Sequence, residues 1–199
     1  VKPGFLRGAD AVFHLAAKPS VQGSIDYPLD AFETNVADMA YLLEQVRNAG
    51  VKRFVFSSSS SVYGAATVMP VSERSMTAPM SPYAGHKLIG EILCQTYTRT
   101  YGLRTVCLRY FNVYGPRLDP SGPYAAVISV FLERWRKGQT IAVTGDGTQT
   151  RDFVHVSDVV RANLLAAFSD RVGDGEVINI GSGYAVRIKD LAAMFATSV

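Results

Sequence analysis

Tyr83 and Lys87 stand four residues apart in SPYAGHK, a spacing that places two side chains on one face of a helix. Upstream, the apolar run Arg53–Phe56 ends in five serines, RFVFSSSSSVYG. A free phenol titrates near ~10 and is a poor base at neutral pH, but a fixed ammonium favours the phenolate. Lys87, one turn beyond Tyr83, is placed to supply that charge. Ser59, at the end of the strand, is the candidate to hold a substrate alcohol near the phenol, as general acid/base work requires. The three together describe an alcohol exchanging a proton while another group handles hydride. No side chain accepts a hydride, so a nicotinamide cofactor is implied.

The elements that must position these groups follow from periodicity. Residues 11–15 form a short apolar run fit for a buried parallel strand, and the small Ala16 and Ala17 follow it. Small residues at the carboxyl end of such a strand let a ligand approach the backbone, and ligands bind at that edge in open α/β sheets. His14 reads as a structural residue near the sheet. Residues 28–48 are helical, with Phe32, Val36, Met39, Ala40, Leu43 and Val46 on one side and Gly50 closing. Asn35 within it is either a local hydrogen-bonding device or a brace for the site's backbone. The serine run reads as an ordered strand-to-loop junction. Ser81 and Pro82 suit the N-cap and first turn of a helix reaching Tyr101, with Gly102 ending it. Residues 103–110 form another buried strand. Strands alternating with helices imply an α/β fold: a parallel sheet with helices on both faces, a partial Rossmann-like core.

The composition changes after Pro116. Residues 128–138 read as an amphipathic helix. Residues 141–156 read as a turn between two short strands, and a helix capped by Ser157 or Asp158 follows. Residues 176–180 are a strand and 188–195 a helix. The expected division is a core over 1–116 and a smaller substrate lobe over 117–199, with parts of 154–170 packing back on the core. Gly145-Asp146-Gly147 and Gly181-Ser182-Gly183 resemble the start of a phosphate loop, but Thr150 and Val186 stand where a third glycine belongs, so both read as turns.

Composition narrows the classes further. With 48% hydrophobic and 19% charged residues and no apolar run approaching ~20, the 199 residues describe a globular chain rather than a membrane-spanning one. A net charge of +3, from 20 basic and 17 acidic residues, carries no basic cluster that would argue for nucleic acid. Cys94 and Cys107 have no ligand-spaced partners and read as reduced core residues, with neither metal nor disulfide expected, and the cytoplasm is the natural compartment.

The blocks HLAAKPSV, VFSSSSSVYG, SPYAGHK, RYFNVYGPR and GDGTQTRDFVHVSDV together resemble the extended short-chain dehydrogenase/reductase family. Within it they are most similar to the nucleotide-sugar epimerases that interconvert UDP-glucose with UDP-galactose, or their N-acetyl forms. The resemblance implies Tyr83 as base, Lys87 as the group that lowers its pKa and holds the nicotinamide ribose, and Ser59 as partner of the sugar's reacting oxygen. It places Ala16, Ala17, Lys18, Ser57 and Tyr110 beside NAD, Asn112 and Arg151 on the substrate diphosphate, and 124–127, with Tyr124 and Val127, near the uracil. The implied reaction is oxidation of a UDP-hexose at C4, rotation of the 4-keto sugar and reduction on its other face. Dehydratase relatives carry an Asp-Glu pair where this chain has Ser60 and Ser61. The family's initial strand and glycine-rich pyrophosphate turn are absent, roughly the first 60 residues of the usual pattern. The chain is therefore expected to be a piece of a longer enzyme or a shortened protein, with NAD binding in question. Exposed sheet edges, or helices 29–49 and 81–101, are expected to pair in a homo-oligomer. A silent UDP-sugar-binding or assembly module, and a reductase or decarboxylase of the same superfamily, are the alternatives.

Overall fold

A computed structural model describes residues 4–66, 68–118 and 127–196. They form two compact units, 1–110 with 160–180, and 111–159 with 181–199. The first unit is built on a four-stranded parallel sheet of β1 (Ala11–His14), β2 (Arg53–Ser59), β3 (Thr105–Tyr110) and β7 (Asp174–Ile180), in the order β1-β2-β3-β7. Residues 160–170 pack on the sheet, inside the 154–170 stretch expected to return to the core, and residues 171–180, expected in the lobe, belong with the sheet as well. The reason lies in the ladder: Val177 to Ile180 pair with Cys107 to Tyr110, and an apolar strand satisfies its backbone best beside another.

The period of two along β2 and β3 divides the core. Phe54, Phe56 and Cys107 face one side, where Met39, Leu43, Val46 and Cys94 fill the space. Val55, Val106 and Leu108 face the other, against Ala166 and Ala167. The first layer comes from α3 (Asp38–Asn48) and α4 (Pro82–Tyr101), the second from α6 (Val156–Phe168). Fully buried residues of this kind each contribute about 1.5–3 kcal/mol. The buried Arg53 donates to the carbonyls of Ala166, Ser169 and Val172, closing the last turn of α6 with a cation where the helix dipole favours one.

Helix α4 starts as its sequence predicts, with Ser81 Oγ accepting from Ala84 N at 3.2 Å and Pro82 in the first turn. It ends at Gly102, whose φ of 72° is left-handed. Residues 28–48 differ from the single helix expected. A short helix α1 (Val21–Asp26) precedes them, α2 (Pro28–Phe32) follows, and Glu33–Ala37 form a π-helical turn before α3. The wider turn carries Asn35, buried and turned to the backbone of Lys18. π turns of this kind cluster at functional sites.

The second unit holds β4 (Asn112–Tyr114), α5 (Val127–Arg136), β5 (Thr150–Arg151), β6 (Phe153–His155), β8 (Val186–Arg187) and α7 (Ile188–Ala196). β4 pairs with β6 in parallel, and β5 with β8 antiparallel. Phe131, Ile188 and Leu191 make its core. Residues 141–143, expected as a strand, lack a ladder, and Ile141 and Val143 instead pack on that core. Helix α6 begins at Val156, ahead of both expected caps, Ser157 and Asp158. His155 takes that role, its Nδ1 accepting from Ser157 N at 3.2 Å. Among the described residues, no helix is long and apolar enough to cross a membrane.

Candidate active site

The carboxyl end of β2 is where the predicted groups of the first unit meet. Lys87 is buried, and its ammonium donates to the Ser57 carbonyl at 2.7 Å, 5.8 Å from the centre of the Tyr83 ring and 5.0 Å from that of Phe56. Tyr83 is half-buried, and its backbone N–H donates to Ser24 Oγ at 3.0 Å. Ser24 in turn donates to Val21 O, so the first turn of α4 is tied to α1. The Ser59 side chain caps the 3-10 turn Ser60–Tyr63 by accepting from Ser61 N.

Electrostatics at this point depart from the sequence expectation in one respect. Burial pushes the Tyr83 phenol up from 10, and the opposing influence is its hydrogen bond with Ser59 rather than the Lys87 charge. One N–H of the ammonium goes to the Ser57 carbonyl, and the same desolvation lowers Lys87 to about 8. His14, stacked between Phe54 and Phe56, is lowered to about 4 by burial and then by the nearby Lys87 charge. It is the structural residue its position suggests.

The remaining residues expected around NAD lie in the same unit. Ser57 Oγ sits 3.2 Å from Tyr110 Oη, which also bonds Asn163. Ala16, Ala17 and Lys18 follow β1. Asn35 clamps the Lys18 backbone from both sides, its Oδ1 accepting from Lys18 N at 2.7 Å and its Nδ2 donating to Lys18 O at 3.1 Å. Of the two roles open for Asn35, this is the brace. The Lys18 ammonium itself pairs with Asp30. The residues present fit a dinucleotide at this edge. Among the described residues Lys87 makes a single hydrogen bond, leaving a buried ammonium with two N–H groups unspent. Small residues beside it leave the backbone approachable.

In the second unit, Asn112 Nδ2 and N both donate to Asp152 O, at 2.9 and 3.0 Å. Arg151 is exposed, and among the described residues it donates to its neighbour's carbonyl, Thr150 O. Val127 opens α5 and packs on the Phe131 core. Tyr124 lies outside the described residues. Both glycine turns are closed by their own carboxylates. Asp152 accepts from Ser182 N, Ser182 Oγ and Gly183 N, at 2.7–2.9 Å. Asp146 does the same for Thr148 N and Oγ1. The backbone N–H groups of Thr148, Ser182 and Gly183 are thereby occupied by carboxylates.

Sequence reasoning missed Ser24, Asn163, Asp152 and the buried pair of Glu91 with Arg109. The last had a readable signal: Glu91 extends the Tyr83–Lys87 face by one more turn, and Arg109 interrupts the apolar run TVCLRY. A charge inside a buried strand requires a partner.

The parallel sheet, with a Tyr-Lys helix on one face and serines at its carboxyl edge, defines an α/β class built on a partial Rossmann-like core. The chain belongs to the NAD dependent epimerase/dehydratase family, which matches residues 4–181. It is 39% identical to a UDP-glucose 4-epimerase of Mycolicibacterium smegmatis, over 96% of this chain and 60% of that protein. Among solved structures, a UDP-N-acetylglucosamine 4-epimerase from Methanobrevibacter ruminantium M1, in complex with UDP-N-acetylmuramic acid, superposes with a TM-score of 0.91. It shares 41% identity, covering 95% of this chain and 60% of that one. A UDP-glucose 4-epimerase from Thermotoga maritima with UDP-glucose gives 0.89 at 42% identity, covering 94% and 60%. The fold is that of these Rossmann-type epimerases, and the chain spans about 60% of their length.

Proposed function

We propose that this chain carries the catalytic and substrate-binding part of an NAD-dependent UDP-hexose 4-epimerase. The observation that carries the proposal is the meeting of Tyr83, Ser59 and Lys87 at the end of one parallel strand, inside a family of such chemistry. Ala16, Ala17, Lys18, Ser57, Lys87 and Tyr110 would hold the dinucleotide. When bound, NAD would supply the hydride acceptor and donor. Tyr83 removes the proton of the sugar 4-hydroxyl as C4 gives up hydride, while Ser59 donates to the same oxygen. The 4-keto sugar turns over, regains hydride on its other face, and recovers the proton from Tyr83.

Arg151 and Asn112 would hold the diphosphate, with the exposed guanidinium of Arg151 offering a fork of donors for bidentate contact. Retaining the keto intermediate demands that the nucleotide be held more firmly than the hexose.

The test adds UDP-glucose and NAD to the purified chain, following absorbance near ~340 nm and the formation of UDP-galactose. Tyr83→Phe is expected to reduce turnover by at least ~10³-fold with UDP affinity within about twofold, because the loss belongs to the transition state. Arg151→Ala is expected to weaken UDP binding first. A collapse of UDP binding in Tyr83→Phe would contradict the assignment. UDP binding indifferent to NAD, without turnover, would leave a nucleotide-sugar-binding module instead.

A further inference from the structure

We infer that Glu91 is a positioning residue, holding Tyr83 against Ser59 by pinning the register of α4 to the end of β2 through the Ser58 hydroxyl. The inference rests on the proposed roles of Tyr83 and Ser59.

Tyr83, Lys87 and Glu91 occupy three successive turns on one face of α4. Each meets one of three successive serines of β2. The Tyr83 phenol comes under the influence of the Ser59 hydroxyl, which opposes the effect of burial on it, the Lys87 ammonium takes the Ser57 carbonyl at 2.7 Å, and Glu91 Oε1 accepts from Ser58 Oγ at 2.5 Å. A slide of the helix along the strand would break all three together.

Glu91 is itself fixed from the next strand. Arg109 donates to it through two parallel hydrogen bonds, Nε to Oε1 at 2.8 Å and Nη2 to Oε2 at 2.7 Å. Arg109 is the register partner of Ser58 on one side and of Asn179 on the other. Its Nη1 donates to Tyr63 Oη at 2.7 Å, and Tyr63 donates to Asn179 Oδ1 at 2.7 Å. A polar row therefore crosses β2, β3 and β7, and it grips the turn Ser60–Tyr63 that follows Ser59. Burial opposes the Arg109 charge, but the bonds to Glu91 and Tyr63 hold it above the ordinary arginine value.

A structural role alone explains this poorly. Replacing a buried ion pair by apolar residues of similar volume is commonly neutral or stabilising, so the pair is weak as a source of stability. What its fork geometry supplies is direction, and the direction leads to Ser58.

The experiment reads the Tyr83 phenol in the full chain without substrate. Tyrosines carry ¹³C at Cζ, Tyr83→Phe assigns the resonance, and pH is raised through the phenol's titration. The ionisable groups facing the site are Lys87 and, behind it, His14. Ser58→Ala removes the contact to β2 and leaves the Glu91–Arg109 pair intact. It is expected to raise the phenol midpoint by about 0.5 pH or more, because the Ser59 bond that favours phenolate loosens. In the same variant kcat is expected to fall about 10-fold with KM within about twofold. Ser58→Thr, which restores the hydroxyl, should return both. Val46→Ala, a core truncation remote in role, should lower the melting temperature and leave the phenol midpoint in place. An unmoved phenol in both Ser58→Ala and Glu91→Gln would overturn the inference, as would an equal shift in Val46→Ala. A shifted phenol in a chain that never epimerises would instead sink the proposed function and leave the positioning role standing.

Discussion

At the scale of the residue, burial acts oppositely on the two groups that would share the proton. It raises the neutral phenol of Tyr83 and lowers the cationic Lys87 to about 8. The ammonium form is therefore lost near pH 8, and turnover that depends on it is expected to decline as pH rises through that value, visible in a kcat profile. The same shift sets a stability window. An unfolded Lys87 keeps its proton up to about 10.5, so between about 8 and 10.5 the unfolded chain binds more protons. Stability from this group consequently rises with pH across the window, by at most about 3 kcal/mol. Urea denaturation at pH 8 and 10 should show wild type gaining on Lys87→Met. His14 behaves similarly at the acid end. Lowered to about 4 from 6.5, it withdraws stability as pH falls through that interval, and His14→Phe is expected to flatten the acid limb of the melting profile.

At the scale of the element, α4 works because it lies very close to β2. Gly90 permits this: a Cβ there would stand 2.4 and 2.7 Å from the Phe56 ring and 3.0 Å from Met39 Sδ. Alanine is the better helix former by about 1 kcal/mol, so propensity alone predicts that Gly90→Ala stabilises. Overpacking of the ring outweighs it, and the expected outcome is a net loss of about 1–3 kcal/mol in chemical denaturation. The displaced helix carries Tyr83 and Lys87, so turnover should fall as well. The π turn at 33–37 has the same logic. An even helix through 28–48 would continue the apolar stripe read from the sequence, but the extra residue per turn carries Asn35 to the Lys18 backbone.

At the scale of the whole molecule, the first unit leaves apolar surface uncovered. Val160, Leu164, Leu165 and Phe168 form one exposed stripe on α6, and Phe13 and Leu15 are exposed at the end of β1, the edge strand of the sheet among the described residues. Stripes and edges of this kind favour association. The isolated chain is expected to run larger than a monomer in light-scattering chromatography. Leu165→Glu with Phe168→Glu, at positions 57% and 65% exposed, should move it toward monomer with little change in melting temperature. A wild-type chain that is already monodisperse and monomeric would refute this.

By itself the sequence determined what is local or periodic: the β2, β3 and α4 segments, the Ser81 cap and Gly102 stop, and the Tyr83–Lys87 face. These follow from spacing along one element, which neighbouring atoms enforce. Only the tertiary structure decided that 171–180 joins the sheet, that Lys87 turns its ammonium to the Ser57 carbonyl, and that Asp152 fills the Gly181–Gly183 turn. It also decided the row from Ser58 through Glu91 and Arg109 to Asn179. Each of these joins residues far apart in the chain, and a hydrogen bond or burial between such partners exists only once folding has brought them within about 3 Å.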